Sequence, residues 1–214
     1  DVSLFERNKN LGRKLLITGN RRCNITNNKD SSELVKLINN GKFLYSSFAN
    51  YDVNSIIQFF SDYGLSLIEE EDNKMYPASN KSSDVLSTLE KVLLESNVSV
   101  LYNSLITSIE VTDGLVKNII INDKKVDFDH VIVATGGISF PNLGSDGLIH
   151  ETLKNNNIKL TKLYPCEAAL LSKDTFIKKA ELAGISLKDV KINVLNSKKK
   201  IKHSSEGDLL FTHK

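Results

Sequence analysis

Apolar residues recur every three or four positions through much of the first half of the chain, a spacing typical of helices that bury one face. Caps and stop signals divide this pattern into separate helices. Helices are predicted to begin at Ser31 or Ser32 and at Asp52 or Asn54, and to cover Ser82 to Leu94 and Gly147 to Asn155.

Runs of β-branched and apolar residues mark the predicted strands. Short strands are expected at Val2 to Phe5 and Leu65 to Ile68, and four strands separated by turn signals predict a β-meander over residues 98–128. His130 to Ala134 is a continuous apolar run, as expected of a strand buried on both faces. Helices and strands that alternate in this way predict an α/β fold.

The pattern changes near Pro165, where we predict a domain boundary. Beyond it, short β runs such as Lys188 to Leu195 and Ile201 to His203 are separated by polar turns. Residues 1–166 are therefore expected to form an α/β domain, and residues 167–214 the start of an inserted, β-rich domain.

Composition narrows the class of protein. The chain has 214 residues, 40% of them hydrophobic and 25% charged, as in globular domains, and no apolar run is long enough to cross a bilayer. Cys23 and Cys166 form no C-x-x-C pair, and the four histidines lack metal-ligand spacing, so neither a disulfide scaffold nor a metal site is predicted. We expect a cytoplasmic protein. The single methionine, Met75, and the opening residue, Asp1, lead us to expect an internal piece of a longer protein.

Charge gives little reason to expect a nucleic-acid partner. The net charge of +2 implies no strong field for polyanions. One basic run, Lys198 to Lys202, could contact nucleic acid, but no aromatic residue is interleaved for base stacking. We interpret the run as the solvated tip of a hairpin.

The end of the first predicted strand carries a candidate ribose ligand. Glu6 follows the apolar residues of that strand, where a carboxylate can accept hydrogen bonds from the ribose diol of a dinucleotide. The matching glycine fingerprint would lie about 20 residues upstream, before residue 1. Strands that end in glutamate are common, so this signal alone does not distinguish a ligand from a surface charge.

Two further segments have the composition of ligand-binding loops. Gly12 to Asn27 combines glycines that permit close backbone approach with amides and cations that suit pyrophosphate, while its Asn and Thr side chains can bond a flavin edge. A polar surface loop is an equal alternative. Ala134 to Gly137 brings small residues and backbone amides to the carboxyl end of a predicted strand, where ligands bind in open α/β folds. An ordinary strand-to-turn transition is the alternative there.

Together these segments resemble the BaiN-like NAD(P)/FAD-dependent oxidoreductases, bacterial flavoproteins of the glutathione-reductase-like group. The resemblance covers essentially the whole chain and implies that residues 1–166 are the central part of an FAD-binding Rossmann-like domain. Besides Glu6, the motifs that carry it are Gly12 to Asn27 (G-R-K-L-L-x-[ST]-G-x-G-R-C-N-x-[ST]-N in the family), Met75 to Ser79 (M-Y-P-x-S), Ala134 to Pro141 (A-T-G-G-x-S-[YF]-P), Leu163 to Pro165 (L-Y-P) and Gly207 to His213 (G-[ED]-L-L-F-T-H).

The resemblance also implies a set of cofactor-binding residues. Glu6 would hold the adenosine ribose, Arg13 and Lys14 would lie along FAD, and the backbone of Ile106 would meet the adenine. The residues expected beside the flavin or closing the site are Gly19, Asn20, Arg22, Cys23, Asn24, Thr135, Gly136 and Gly137, with Ser139 to Pro141 extending it.

Some positions depart from the family pattern or have two interpretations. Arg21 replaces a usual glycine, and Gly144 to Gly147 is two residues shorter than the family's G-S-T-G-D-G, which bears on the start of the next helix. Cys23 could be a redox thiol, but without a resolving cysteine nearby we favour a packing role. Tyr76 and Pro77 could line a substrate pocket or form a turn, and His213 could reach the site in the whole protein.

The function implied by the resemblance is hydride transfer between NAD(P)H and a small organic substrate through bound FAD, with no catalytic acid or base identified. The alternative is a non-catalytic flavin- or nucleotide-binding protein, for example one associated with RNA. Because the turn that holds the pyrophosphate is expected before Asp1, this chain alone is predicted to hold no FAD tightly and to be inactive. Unpaired edges at Val2 to Phe5 and Val131 to Ala134 would favour self-association.

Overall fold

A computed structural model describes residues 1–164, 169–179 and 181–212 of the chain. The chain divides into two compact units, Asp1–Leu160 and Thr161–Lys214. The predicted α/β fold is confirmed. The boundary predicted between residues 166 and 167, near Pro165, lies outside the described residues and stays a prediction.

The described residues contain ten strands arranged in four small sheets. The strands are β1 (Ser3–Phe5), β2 (Thr26–Asn27), β3 (Leu67–Glu70), β4 (Lys74–Pro77), β5 (Ser99–Leu101), β6 (Ile106–Thr112), β7 (Leu115–Ile121), β8 (Lys124–Asp127), β9 (Ser186–Leu195) and β10 (Ile201–Leu210).

Seven helical segments and four 3-10 turns connect these strands within the described residues, and the first segment, Thr18–Arg21, is a turn with left-handed backbones at Gly19, Asn20 and Arg21 rather than a regular α-helix. The helices are α1 (Thr18–Arg21), α2 (Ser31–Leu37), α3 (Tyr45–Asn50), α4 (Val53–Asp62), α5 (Ser82–Glu95), α6 (Leu148–Asn155) and α7 (Thr175–Lys178), and the 3-10 turns are Leu15–Ile17, Gly41–Leu44, Glu71–Asn73 and Pro141–Leu143.

A parallel pair, β1 and β5, places the start of the chain beside residues 99–101. The pairing continues past the strands, since Glu6 N–H donates to the Leu101 carbonyl (2.9 Å) and Ser104 N–H donates to the Glu6 carbonyl (2.9 Å). The prediction that residues 98–101 belong to the β-meander is therefore wrong. Their partner is 96 positions away at Ser3, and no local pattern specifies a pairing of that range.

The meander itself is the antiparallel sheet β6–β7–β8, and α6 packs on it. Ile119, 2% exposed, lies in a core with Ile109, Ile121 and Ile149. The helix is also tied to β6 by polar bonds, because the Asn156 side chain donates to the Ile109 carbonyl at 2.8 Å. These contacts fix where α6, and the loop before it, lie.

A second core lies beneath the sheet β2–β4–β3 and is covered by α4 and α5. It contains Cys23, Phe60, Leu65 and Val85, of which Val85 is only 1% exposed. Strand β4 is central in this sheet, with β2 and β3 antiparallel on either side. The core therefore anchors the segment that leads from the candidate loop into β2.

Of the caps predicted for α4 and α2, the first is confirmed and the second is wrong. Asp52 caps α4 as predicted, its carboxylate accepting from the Ser55 N–H at 2.8 Å. Helix α2 is capped by Asp30 rather than by Ser31 or Ser32, because the Asp30 carboxylate accepts from the Ser32 N–H at 2.7 Å. A carboxylate there also favours the helix N-terminus electrostatically.

The strand predicted over His130 to Ala134 is wrong. These residues form no regular structure, and the Ile132 side chain is 93% exposed. A strand exists only through hydrogen bonds to a neighbour. Within the described residues, β1 pairs with β5 alone and no strand pairs with residues 131–134. Of this run, Val131 still packs on the core that contains Ile119.

The second unit contains α7 and the antiparallel hairpin β9–β10. The hairpin turns at Asn196, whose N–H donates to the Lys200 carbonyl at 2.9 Å. This confirms the prediction that Lys198 to Lys202 form a solvated hairpin tip, while β10 runs on to Leu210, well beyond the predicted His203. In the described ranges, no helix has the length and apolar character needed to span a membrane.

Candidate cofactor-binding site

A polar network begins at the carboxyl end of β1. The Glu6 Oε1 atom accepts hydrogen bonds from the Asn8 backbone N–H and from Asn8 Nδ2, both at 2.7 Å. Asn8 Oδ1 in turn accepts from Arg13 Nη1 at 2.6 Å. Both bonds to Glu6 use the same oxygen, so among the described residues Glu6 Oε2 accepts none. The carboxylate is therefore oriented and retains an oxygen for a hydroxyl donor.

Lys14 connects the glycine-containing loop after β1 with the loop that precedes α6. Its ammonium donates to the Ser139 carbonyl and to Ser145 Oγ, each at 2.9 Å, and lies 5.9 Å from the centre of the Phe140 ring. The sequence separation of these partners is at least 125 residues. The fold therefore brings two of the three predicted ligand-binding segments together.

An ion pair between Arg7 and Asp146 makes a second connection between the same regions, with 2.7 Å between Nη1 and Oδ2. The hydrogen bond from Arg7, followed by one from the Leu148 N–H, holds the pKa of Asp146 below its usual value. The Asp146 carboxylate also accepts from the N–H of Leu148, the first residue of α6, at 3.1 Å. Despite the shortened Gly144 to Gly147 segment, the helix begins at Leu148, one residue after the predicted start.

The Ala134-Thr135-Gly136-Gly137 segment presents its backbone to open space. Gly136 has a φ of +76°, and a Cβ added there would contact only Ser145 Oγ, at 3.3 Å. A Cβ on Gly137 would meet nothing within 4 Å. Thr135 and both glycines are exposed. This chain itself therefore leaves room beside these residues.

Ile106 lies close to the same end of β1. It begins β6 and is half-buried against the core of the meander. Two residues earlier, the Ser104 N–H bonds the Glu6 carbonyl. Five of the predicted positions (Glu6, Arg13, Lys14, Ile106 and Gly136) are thus connected around one strand end.

The loop at Gly19 to Asn24 forms a separate group above β4. Gly19, Asn20, Arg21 and Cys23 all have left-handed backbones, with φ of 53°, 55°, 66° and 63°. Arg21 thus occupies a conformation in which glycine costs least, which accounts for the glycine usual in the family. Asn20 and Asn24 are exposed.

Arg22 points its guanidinium at neighbours on the adjacent sheet. Nη1 lies 2.7 Å from Glu70 Oε1, 2.9 Å from Glu70 Oε2 and 3.2 Å from Asn80 Oδ1. The guanidinium carbon is 4.0 Å from the centre of the Tyr76 ring. The hydrogen bond to Glu70 is the main reason that the pKa of Arg22 is raised.

Cys23 and Tyr76 are structural parts of this region. Cys23 is 7% exposed and belongs to the core with Phe60 and Val85, the position that a packing role predicts. Tyr76 and Pro77 lie in strand β4 and are buried, so neither forms a turn. The other cysteine, Cys166, and His213 lie outside the described residues.

A shallow cavity of about 410 Å³ opens beside Arg21, where the loop meets the start of α5. The other residues that line it are Leu16, Ile17, Lys81, Ser82 and Ser83. Ser82 Oγ donates to the Leu16 carbonyl at 2.9 Å, which ties the loop to the helix. In the part of the chain that the structure describes, no cluster of His, Cys, Asp and Glu is arranged to hold a metal ion.

The family model described as "HI0933-like protein Rossmann domain" matches residues 1–210. The chain belongs to this family. It is a family of FAD-binding oxidoreductases, so the flavoprotein resemblance inferred from the motifs is confirmed.

Among curated proteins, the chain is similar to the 3-dehydro-bile acid delta(4,6)-reductase of Clostridium scindens, with 26% identity over 84% of this chain and 43% of the relative. It is also 27% identical to the ribosomal RNA dihydrouridine synthase of Haemophilus influenzae, over 100% of this chain and 52% of the relative. The Escherichia coli ribosomal RNA dihydrouridine synthase is 26% identical over 67% of this chain. The chain spans about half the length of the first two.

The residues around the end of β1 fit the FAD that the family implies. Glu6 retains an acceptor oxygen, Arg13 and Lys14 supply positive charge close by, and Gly136 leaves space. Sequence reasoning missed Asn8, Asp146, Glu70 and Asn80. Each is a polar residue that supports the candidate site through a long-range or loop contact. No sequence motif or spacing identifies such a contact.

Proposed function

We propose that the protein containing this chain transfers a hydride from NAD(P)H to a small organic substrate through bound FAD. The observation that carries this is the convergence of Glu6, Arg13, Lys14 and the exposed glycines around the end of β1, in a chain that belongs to an FAD-binding family. FAD, when bound, supplies the acceptance and donation of hydride. The residues of this chain bind and orient the cofactor.

Glu6 is proposed to hold the ribose of the adenosine. Its Oε1 accepts both hydrogen bonds from Asn8, and its Oε2 would be the oxygen open to a ribose hydroxyl. Asn8 also links the carboxylate to Arg13, because its Oδ1 accepts from Arg13 Nη1 at 2.6 Å. Charge-assisted hydrogen bonds of this kind contribute about 1.5–3 kcal/mol each.

Lys14 is proposed to close the site from the side of the Ser139 loop. Its two hydrogen bonds hold the loop near the end of β1, and its charge remains available to an anionic cofactor. The exposed backbone at Gly136 would leave space for the cofactor, since a Cβ there would meet only Ser145 Oγ, at 3.3 Å, and a larger side chain would occupy that space.

A second candidate substrate comes from the relatives. The Haemophilus influenzae protein, which is similar over the whole chain, is a ribosomal RNA dihydrouridine synthase. We therefore also consider dihydrouridine formation in ribosomal RNA. The basic hairpin tip at Lys198 to Lys202 is exposed and suits contact with an RNA backbone.

The test uses the whole protein. Its absorbance spectrum is recorded, and NADH and then NADPH are added without oxygen. We expect a flavin spectrum that bleaches with one of the two nucleotides and returns on addition of a small enone. Recovery only with ribosomal RNA lacking dihydrouridine selects the second candidate. Folded protein without flavin refutes both.

Glu6→Ala provides a residue-level check of the same proposal. We expect FAD binding to weaken by about 1.5–3 kcal/mol, the range for charge-assisted hydrogen bonds. Glu33→Ala serves as the matched control, since Glu33 is an exposed acid at the start of α2. An unchanged dissociation constant in Glu6→Ala would mean that Glu6 is only a surface charge.

A further inference from the structure

Arg22 is engaged on three sides by residues of the β2–β4–β3 region. One guanidinium nitrogen bonds both oxygens of Glu70 and the side-chain oxygen of Asn80, and the guanidinium plane lies over the Tyr76 ring. The side chains of Arg22 and Glu70 are each only about one third exposed (35% and 34%). An arginine that bound an anionic group of a cofactor directly would have to leave Glu70 or share its charge with it.

The loop that carries Arg22 needs such an anchor. Three non-glycine residues, Asn20, Arg21 and Cys23, adopt left-handed backbones, each less favourable than the right-handed one. Strained backbones persist only where the surrounding structure holds them. The loop also approaches β4 closely, because a Cβ on Gly19 would lie 3.1 Å from Tyr76 Cε1. Tyr76 is therefore in contact with both Gly19 and Arg22.

We propose that Arg22, Glu70 and Tyr76 form a clamp that fixes the left-handed loop at residues 19–23 on strand β4, and that Arg22 acts on the cofactor site through this loop rather than by touching the cofactor. Arg22, Glu70 and Tyr76 are positioning residues. The link to the cofactor rests on the proposed function, whereas the clamp itself is a property of this chain. Glu70 therefore has a structural role, that of anchoring Arg22, which its position as the last residue of β3 does not indicate by itself.

Cys23 provides a direct reporter of the clamp. Its thiol is 7% exposed and follows Arg22 in sequence, so a reagent reaches it only when the loop lifts from the core. The probe is 5,5′-dithiobis(2-nitrobenzoate), used on the folded 214-residue chain in a Cys166→Ser background, in which Cys23 is the one cysteine left. This measurement requires no FAD.

Glu70→Gln removes the charge from the clamp and keeps its shape. We expect the Cys23 thiol to react about threefold to tenfold faster, the range for loss of a well-formed, partly exposed charged contact. Asn80→Gly removes the 3.2 Å bond and tolerates the left-handed φ of 56° at this position, so it should give a smaller increase and serves if Glu70→Gln does not fold. The control is Glu151→Gln, which breaks the exposed pair with Lys154 (3.2 Å) and should leave the rate unchanged.

Flavin binding tests the second half of the proposal. We expect Glu70→Gln and Arg22→Ala to weaken FAD binding by similar factors and to shift the flavin absorption band of the saturated protein in the same way. Arg22→Lys should restore both only in part, because lysine cannot stack or bond in the same geometry.

The clamp is refuted if Glu70→Gln leaves the thiol reactivity, the FAD affinity and the flavin spectrum unchanged while Arg22→Ala abolishes FAD binding. These flavin measurements use the whole protein; if it folds and holds no FAD, the proposed function fails and the thiol rates alone decide the clamp.

Discussion

Gly19 and Gly64 form a matched pair for measuring how closely the candidate loop approaches strand β4. Both have a positive φ, +53° at Gly19 and +85° at Gly64. A Cβ on Gly64 would meet nothing within 4 Å, whereas a Cβ on Gly19 would lie 2.7 Å from the Asn24 backbone nitrogen and 3.1 Å from Tyr76 Cε1. Alanine at the two positions therefore separates backbone strain from steric overlap.

The expected magnitudes follow from these distances. Gly64→Ala introduces only a left-handed alanine, which costs about 1–2 kcal/mol of unfolding free energy. Gly19→Ala carries the same cost and also forces a backbone atom or the buried Tyr76 to move, which adds about 1–3 kcal/mol as in overpacked cores. We expect the two variants to differ by about 1–3 kcal/mol, with Gly19→Ala the less stable.

Equilibrium urea unfolding followed by circular dichroism measures both changes against the wild-type chain. The slopes should agree among the three proteins, so that midpoint shifts report free energy. If Gly19→Ala and Gly64→Ala lose the same stability within about 0.5 kcal/mol, the loop does not approach β4 as closely as described. The clamp would then rest only on the contacts of Arg22 with Glu70, Asn80 and Tyr76, and no longer on a close approach of Gly19 to Tyr76.

Three further changes test other parts of the molecule. Ile119→Ala should cost about 2–5 kcal/mol in urea unfolding, because the side chain is 2% exposed in a core that cannot readily collapse; a loss below about 1 kcal/mol would contradict that placement. The hydrogen bond from Arg7 lowers the pKa of Asp146, so this ion pair stabilises the fold above the unfolded pKa of about 3.9 and the contribution is lost as pH falls through the lower folded value. The stability difference between wild type and Asp146→Asn should accordingly shrink on acidification, and a difference that is constant from neutral pH to about pH 2 would refute the pairing. In the whole protein, Gly136→Val should abolish FAD retention without unfolding, and normal flavin content would remove Gly136 from the site.

Helices with regular spacing and clear caps were predictable from the sequence. Helix α5 was expected over Ser82 to Leu94 and spans Ser82–Glu95, because its apolar positions fall on one face for three turns. Strand β6 was expected and found over residues 106–112. Local signals suffice for such elements, since the residues that determine them are neighbours in the sequence.

Long-range pairing was not predictable in the same way. The run from His130 to Ala134 has the composition of a buried strand, yet Ile132 is 93% exposed because no strand in the described ranges pairs with it. An apolar composition shows that the side chains of a segment are suited to burial. Whether they are buried depends on a neighbouring strand or helix that covers them. Residues 99–101 show the converse, because their parallel partner β1 lies about a hundred positions earlier.

The difference between local and long-range determinants of structure also explains which residues of the candidate site the sequence motifs identified. Glu6, Lys14 and Gly136 stand in motifs, as the proposed cofactor site requires, since a bound cofactor constrains residue type wherever it is approached closely. Asn8, Asp146 and Glu70 hold those motif segments in place, and each does so through a contact specific to this fold. A motif therefore marks a segment rather than a set of ligand-binding side chains, because Cys23 and Tyr76 stand in motifs and are buried. The residues outside the motifs that support these segments become visible only in the structure. For this reason the substitutions that best separate binding from support are paired ones, with the proposed ribose ligand Glu6 set against Asn8, which orients it, and against Glu70, which holds the loop that carries Arg22.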